Sequence, residues 1–134
     1  MVSYVVGLAL AIAIFLLARV TGFDRDRSFY PTMLMVIASY YLLFAVIGQS
    51  TQALLVETMA MMFFIAVAIV GYKRNAWLVA GGLAAHGVFD FVHHHLIANP
   101  GVPTWWPGFC LTIDVGLAVA LGSILWQRAK QATQ

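Results

Sequence analysis

The sequence predicts an all-α fold, a polytopic membrane bundle of five transmembrane helices with the N-terminus outside and the C-terminus in the cytoplasm. Three observations carry this expectation. Hydrophobic residues fill 63% of the chain and charged residues only 9%, where a soluble domain carries about a quarter charged. Five apolar stretches reach the roughly 20 residues that a bilayer core of about 30 Å demands of a helix. All seven Lys and Arg residues fall on one side of the resulting five-span arrangement. The whole forms a single domain, 1–134.

The spans are expected at 2–20, 31–48, 53–71, 76–98 and 108–126. The first has no basic segment before it, and its first positive residue, Arg19, follows the run, which reads as an uncleaved span rather than a secretory leader. Residues 21–30 hold Asp24, Arg25, Asp26 and Arg27, an alternation that reads as a solvated loop, and Pro31 suits the first turn of a helix. The connector 49–52 is short and polar, and 72–75 holds Lys73 and Arg74. Pro100, Pro103 and Pro107 break the chain before the fifth span. Arg19, Arg25, Arg27, Lys73, Arg74, Arg128 and Lys130 then share one side, and the connectors on the other side have no Lys or Arg. Cytoplasmic loops concentrate these residues, which sets the orientation. Tyr30, Tyr72, Trp77 and Trp126 are expected at the inner interface, and Tyr4, Trp105 and Trp106 at the outer one.

Composition excludes several classes. A net charge of +2 offers no basic face to track phosphates, so nucleic acid is not an expected partner. Cys110 is the single cysteine, so an intrachain disulfide and a CxxC site are both impossible. Membrane lipids are the expected surroundings. Five helices barely enclose a site, which leaves a homo-oligomer open.

Inside the spans stand Glu57, His86, Asp90, His93, His94, His95 and Asp114. An ionisable group at that depth costs about 2.5–3.5 kcal/mol or more, so each calls for a partner or a task. At about 100° per residue, and with His86 at zero, Asp90 lies near 40°, His93 near −20° and His94 near 80°. These four make one stripe, and His95 points away. Glu57 and Asp114 lie one to two turns into helices that enter from the same side as the outer half of the fourth span, so three helices converge on one polar site. Gly81, Gly82 and Gly87 are expected to permit the close approach.

Imidazole and carboxylate together form the ligand set of zinc, iron and manganese. The expected ligands of a divalent metal ion are His86, His93 and His94, with Asp114 or Glu57 completing the set; zinc comes first, then iron or manganese. Asp90 is placed to orient one of the His93 and His94 rings, and Asp90 and Glu57 are the candidate catalytic carboxylates. Haem is disfavoured because all four histidines lie on one helix. Cys110, one turn from Asp114, is a further possible ligand but reads first as a small hydrophobe. Met59, Met61 and Met62 raise copper, yet methionines in an apolar helix usually pack. Tyr40 and Tyr41 either bond into the site or face lipid. Helix–helix glue and a proton pathway are the competing readings of the cluster.

From Trp77–Leu78 through His86, Asp90, His93–His94 and Asn99–Pro100 to Phe109–Cys110 and Asp114, the spacing resembles a family of small bacterial integral membrane proteins of unknown function. Glu57 matches a Glu on the preceding helix of that family. The likeness covers roughly the C-terminal two thirds of the chain. Phe89 replaces an expected Trp, Ala98 an expected Gly, and Gly108–Phe109–Cys110 stands for Phe-Gly-Cys, all outside the expected ligands. The resemblance implies a multi-pass protein of the bacterial inner membrane and supplies no reaction. Membrane desaturases share one histidine box in outline and ceramidase-like hydrolases share the zinc chemistry, as analogies of site. The expected function is a membrane metal-binding protein, a metal-dependent hydrolase acting on a lipidic substrate from the outer leaflet. The alternatives are a proton or metal-ion transporter, or an accessory subunit of a membrane complex.

Overall fold

Each apolar run becomes a helix, and the polar punctuation between runs sets where it stops. A computed structural model describes residues 1–133. It contains α1 (Val2–Thr21), α2 (Phe29–Ile47), α3 (Thr51–Lys73), α4 (Ala76–Leu96) and α5 (Trp106–Ala132), with a short 3-10 turn at Phe23–Arg25. Gly22 ends α1 at φ 81°, a left-handed conformation in which a side chain is strained. Ser50 starts α3 by accepting the Ala53 N–H, and Asn75 starts α4 by accepting the Trp77 N–H. Pro31 falls in the first turn of α2, where its missing N–H removes no helical bond. α4 ends two residues before its expected limit. Ile97 is already extended, and Pro100 disfavours helical geometry at Asn99.

Four of the helices, α1, α2, α3 and α5, are long and apolar enough to cross a membrane. α4 has the length, at 21 residues, but its histidines and Asp90 lower its hydropathy. The side chains are arranged inside out. Leu17, Leu43, Leu55, Phe63, Val88 and Val119 are exposed, whereas Glu57, His86, Asp90, His93 and Asp114 are buried. An apolar exterior around a polar interior is the pattern that a lipid solvent selects.

α4 lies between α3 and α5, α2 packs on α3 and more lightly on α4, and α1 packs mainly on α5. One end of the bundle gathers the basic residues. There Arg27 donates to the Tyr72 carbonyl, Arg128 donates to the Asp24 carbonyl, and Arg19 meets the Asp24 carboxylate at 2.8 Å. Asp24, expected in solvent, is buried because Arg19 reaches back to it. Asp26 is the exposed one. Its carboxylate accepts the N–H and hydroxyl of Ser28 at 2.9 Å each, which holds its pKa below the ordinary carboxylate value. Tyr72, Trp77 and Trp126 are exposed, whereas Tyr30, expected beside them, is buried in the core. That core fills the basic half, with Leu34, Ala68, Val79, Leu83, Leu117 and Ile124 at its centre.

Several glycines stand where helices approach closely, Gly7 and Gly87 among them. A Cβ at Gly7 would overlap the Phe109 carbonyl and the Thr112 hydroxyl, and one at Gly87 would sit 3.1 Å from the Asp114 Cβ. Gly82 meets Val67 and Leu34, but Gly81, expected to contribute, faces open space. Gly7→Ala should therefore destabilise the detergent-solubilised protein by about 1–3 kcal/mol, the range for overpacking a close contact. Gly81→Ala should be neutral or slightly stabilising, since alanine is the better helix former. Thermal melting followed by circular dichroism compares the two.

Candidate metal centre

α4 delivers His86, Asp90 and His93 to one side of itself because these residues are four and three positions apart. α5 brings Asp114 to the first of them across Gly87, where the absent side chain lets the two helices meet. The His86 Nδ1 lies 2.8 Å from Asp114 Oδ2 and 3.3 Å from Asp90 Oδ2. All three side chains are buried, and one ligand atom from each falls within 4.8 Å of the others. Asp114 Oδ1 and both Asp90 oxygens lack a hydrogen-bond partner among the described residues. Buried carboxylate oxygens rarely go unpartnered.

This group can hold a metal ion. One nitrogen and two carboxylates suit zinc, iron or manganese as donor types. Charge argues the same way. With all three ligands deprotonated, as metal binding requires, the group would carry two negative charges, which a divalent cation would balance.

The second half of the polar cluster is a separate dyad. The His93 Nε2 lies 2.7 Å from Glu57 Oε1, both buried. Asn99, in the connector after α4, donates its Nδ2 to the same Glu57 oxygen at 2.9 Å and to the Tyr41 carbonyl at 3.1 Å. The Asn99 Oδ1 accepts the Gly101 N–H, which fixes the amide orientation. Glu57 Oε1 therefore already accepts from Asn99, and the natural tautomer of His93 donates from Nε2. Tyr41 stacks on the His93 ring at 4.0 Å, and its hydroxyl has Asp90 as a neighbour, as does the Cys110 thiol. Tyr41 thus links the two halves, with Phe89 packed against both histidine rings.

The expected ligands consequently divide. His86 and Asp114 come together, and the third member of their group is Asp90, which was expected to orient His93 or His94. His93 and Glu57 pair with each other. His94 is exposed and lies against His95, ring centroids 3.7 Å apart, outside both groups. Its direction is close to that of Gly87, which faces α5, but it stands about two turns further along α4. Cys110 is buried but is not in the His86 group. Met59 and Met62 are exposed and Met61 packs on the core, so the methionines do not converge. Tyr41 faces the site, whereas Tyr40 is exposed. Asn99 is the residue that sequence reasoning passed over. Its only signal was the Asn-Pro step, which reads as turn punctuation.

No family model matches this chain, and no match was found among curated proteins or solved structures.

Removing one partner of a buried hydrogen-bonded pair leaves the other short of a partner. His93→Ala takes a donor from the buried Glu57 carboxyl and should destabilise the fold by about 3 kcal/mol. Adding Glu57→Gln should recover part of the loss, because a neutral amide is cheaper to bury. Denaturant unfolding of the two variants beside wild type measures the difference; equal losses would show that the bereft carboxyl carries no such cost.

Proposed function

We propose that this protein is an integral membrane metalloenzyme that holds one divalent cation on His86, Asp90 and Asp114 and hydrolyses a lipidic substrate. The observation that carries the reading is the buried convergence of these three side chains, whose ligand atoms fall within 4.8 Å of one another while three carboxylate oxygens lack partners. Zinc is the first expectation, with manganese or iron as competitors suited to the two oxygen donors. A bound cation of this kind supplies a water of lowered pKa and polarises a carbonyl oxygen. Glu57 and His93 hold a proton beside the site, and Tyr41 joins them to Asp90. Leu83 and Leu117, one turn from His86 and Asp114 toward the basic end, and Leu34 are fully buried and exclude water from that side. This apolar floor supports a hydrolytic site open at one end over ion passage, which needs polar access from both.

The proposed setting is the bacterial inner membrane, with the basic end in the cytoplasm by the positive-inside rule and the metal group toward the outer leaflet. The resemblance to small bacterial membrane proteins supports that setting.

Purified protein should carry about one metal ion per chain, and His86→Ala and Asp114→Asn should each lose it, as read by elemental mass spectrometry. Because the ligands bind metal deprotonated, occupancy should fall as pH is lowered and return when it is raised. Metal-free wild-type protein that stays folded through reconstitution with zinc, manganese and iron would overturn the reading. Orientation is tested separately, with Cys110 buried and hence silent. In intact cells a membrane-impermeant maleimide should label Ser3→Cys and spare Gln131→Cys; the reverse pattern would invert the proposed topology.

A further inference from the structure

The connector 97–105 does more than join α4 to α5. It folds back over the polar end of the bundle, held by the Asn99 bonds to Glu57 and Tyr41 and by the close seat of Gly101 on the Phe44 carbonyl. On its other side Tyr4 of α1 lies over Gly108, where a Cβ would meet the tyrosine ring. Between these elements runs a groove of about 750 Å³, within the usual range of about 300–1,000 Å³ for small-molecule sites.

The wall of this groove is chemically graded. Phe91, Ile97, Val102 and Pro107 make an apolar flank, buried His93 and half-buried Asn99 form the polar end, and the exposed His94 ring stands at the edge. No Asp, Glu, Lys or Arg lines it. The hydrogen-bonding atoms of Asn99 are directed inward, to Glu57, Tyr41 and Gly101. Its part is to shape the wall. His93 turns Nε2 to Glu57, which leaves Nδ1 as the ring atom available to a visitor.

We propose that this groove binds an uncharged single-chain amphiphile, a monoacyl lipid with a hydroxyl-bearing head such as a monoacylglycerol, with a head hydroxyl at His93 and its chain along the apolar flank. Charge complementarity selects the head. A phosphate would find no Lys or Arg, and a quaternary amine no lining carboxylate, so either would be desolvated without compensation. A hydroxyl needs only an acceptor, which the unprotonated Nδ1 of this His93 tautomer supplies. The groove opens where the helices end, the level at which an amphiphile changes from chain to head. Naming this ligand as the substrate rests on the metalloenzyme reading, since only Tyr41 and Phe89 separate His93 from the metal group. Binding itself does not rest on that reading.

The test is photo-cross-linking of the full-length protein in nanodiscs with a diazirine-bearing monoacylglycerol, with labelled peptides mapped by mass spectrometry and metal content measured on the same samples. Labelling should be saturable, be competed by unlabelled monoacylglycerol, and concentrate in residues 91–108. Ala98→Trp and Val102→Trp each fill the groove from a position outside the buried core, and each should cut labelling about ten-fold with metal content unchanged. Single-chain phosphate and quaternary-amine probes should label about ten-fold less than the uncharged one. Labelling spread evenly over the lipid-facing helices, labelling unchanged in both tryptophan variants, or preference for a charged head would overturn the proposal. Metal present without saturable labelling defeats the groove alone. Saturable labelling without metal defeats only the metalloenzyme.

Discussion

A carboxylate buried among apolar helices has to find a cation or a donor on another helix, and in this chain that requirement governs how α4 is held. Asp114 of α5 meets His86, and Glu57 of α3 meets His93. The two contacts lie on the same helix seven residues apart, about two turns, and they draw partners from opposite sides. α4 is thereby clamped in rotation and in depth by directional contacts. Dispersion and apolar packing alone would let it slide, since lipid tails compete equally for its surface.

The remaining architecture follows from that clamp. Gly87 has to be bare for α5 to come near enough for Asp114 to reach His86. Phe64 and Phe89 fill the space around the two imidazoles edge-on, which keeps the rings from turning. Asn99 closes the top by giving Glu57 a second donor. The polar groups occupy one half of the bundle and the aliphatic core the other, so the protein has an apolar base and a polar cap.

Helix positions were legible in the sequence because apolar run length and proline placement act locally; the ends were less so, with α4 stopping at Leu96 ahead of Pro100 and α5 running six residues past its apolar run to Ala132. The membership of the site was mostly legible as well. Three-and-four spacing puts His86, Asp90 and His93 on one face whatever their surroundings, and depth along the helices brings Glu57 and Asp114 to the same level. Which carboxylate meets which histidine was not legible. It depends on α3 and α5 flanking α4 on opposite sides, and hydropathy carries no record of lateral order. His94 shares its direction with Gly87, which faces α5, but it stands about two turns beyond that glycine and is exposed. Tyr41 was undecided between site and lipid until α2 had a position. Asn99 and Asp24 looked like ordinary loop residues, because the groups that bury them, Glu57 and Arg19, reach them only after the chain has turned back.

The mounting of α1 has a consequence for how the molecule is made. Its principal partner is α5, the last of the five helices to leave the ribosome. α1 enters the bilayer first and then drifts among lipids while most of the chain is still being synthesised. α4 faces a sharper version of the same delay, because His86 and Asp90 emerge before Asp114 does. The nascent bundle therefore passes through a stage in which α4 has only α2 and α3 to shelter it, and the arrival of α5 completes the polar cluster and retrieves α1 in a single event.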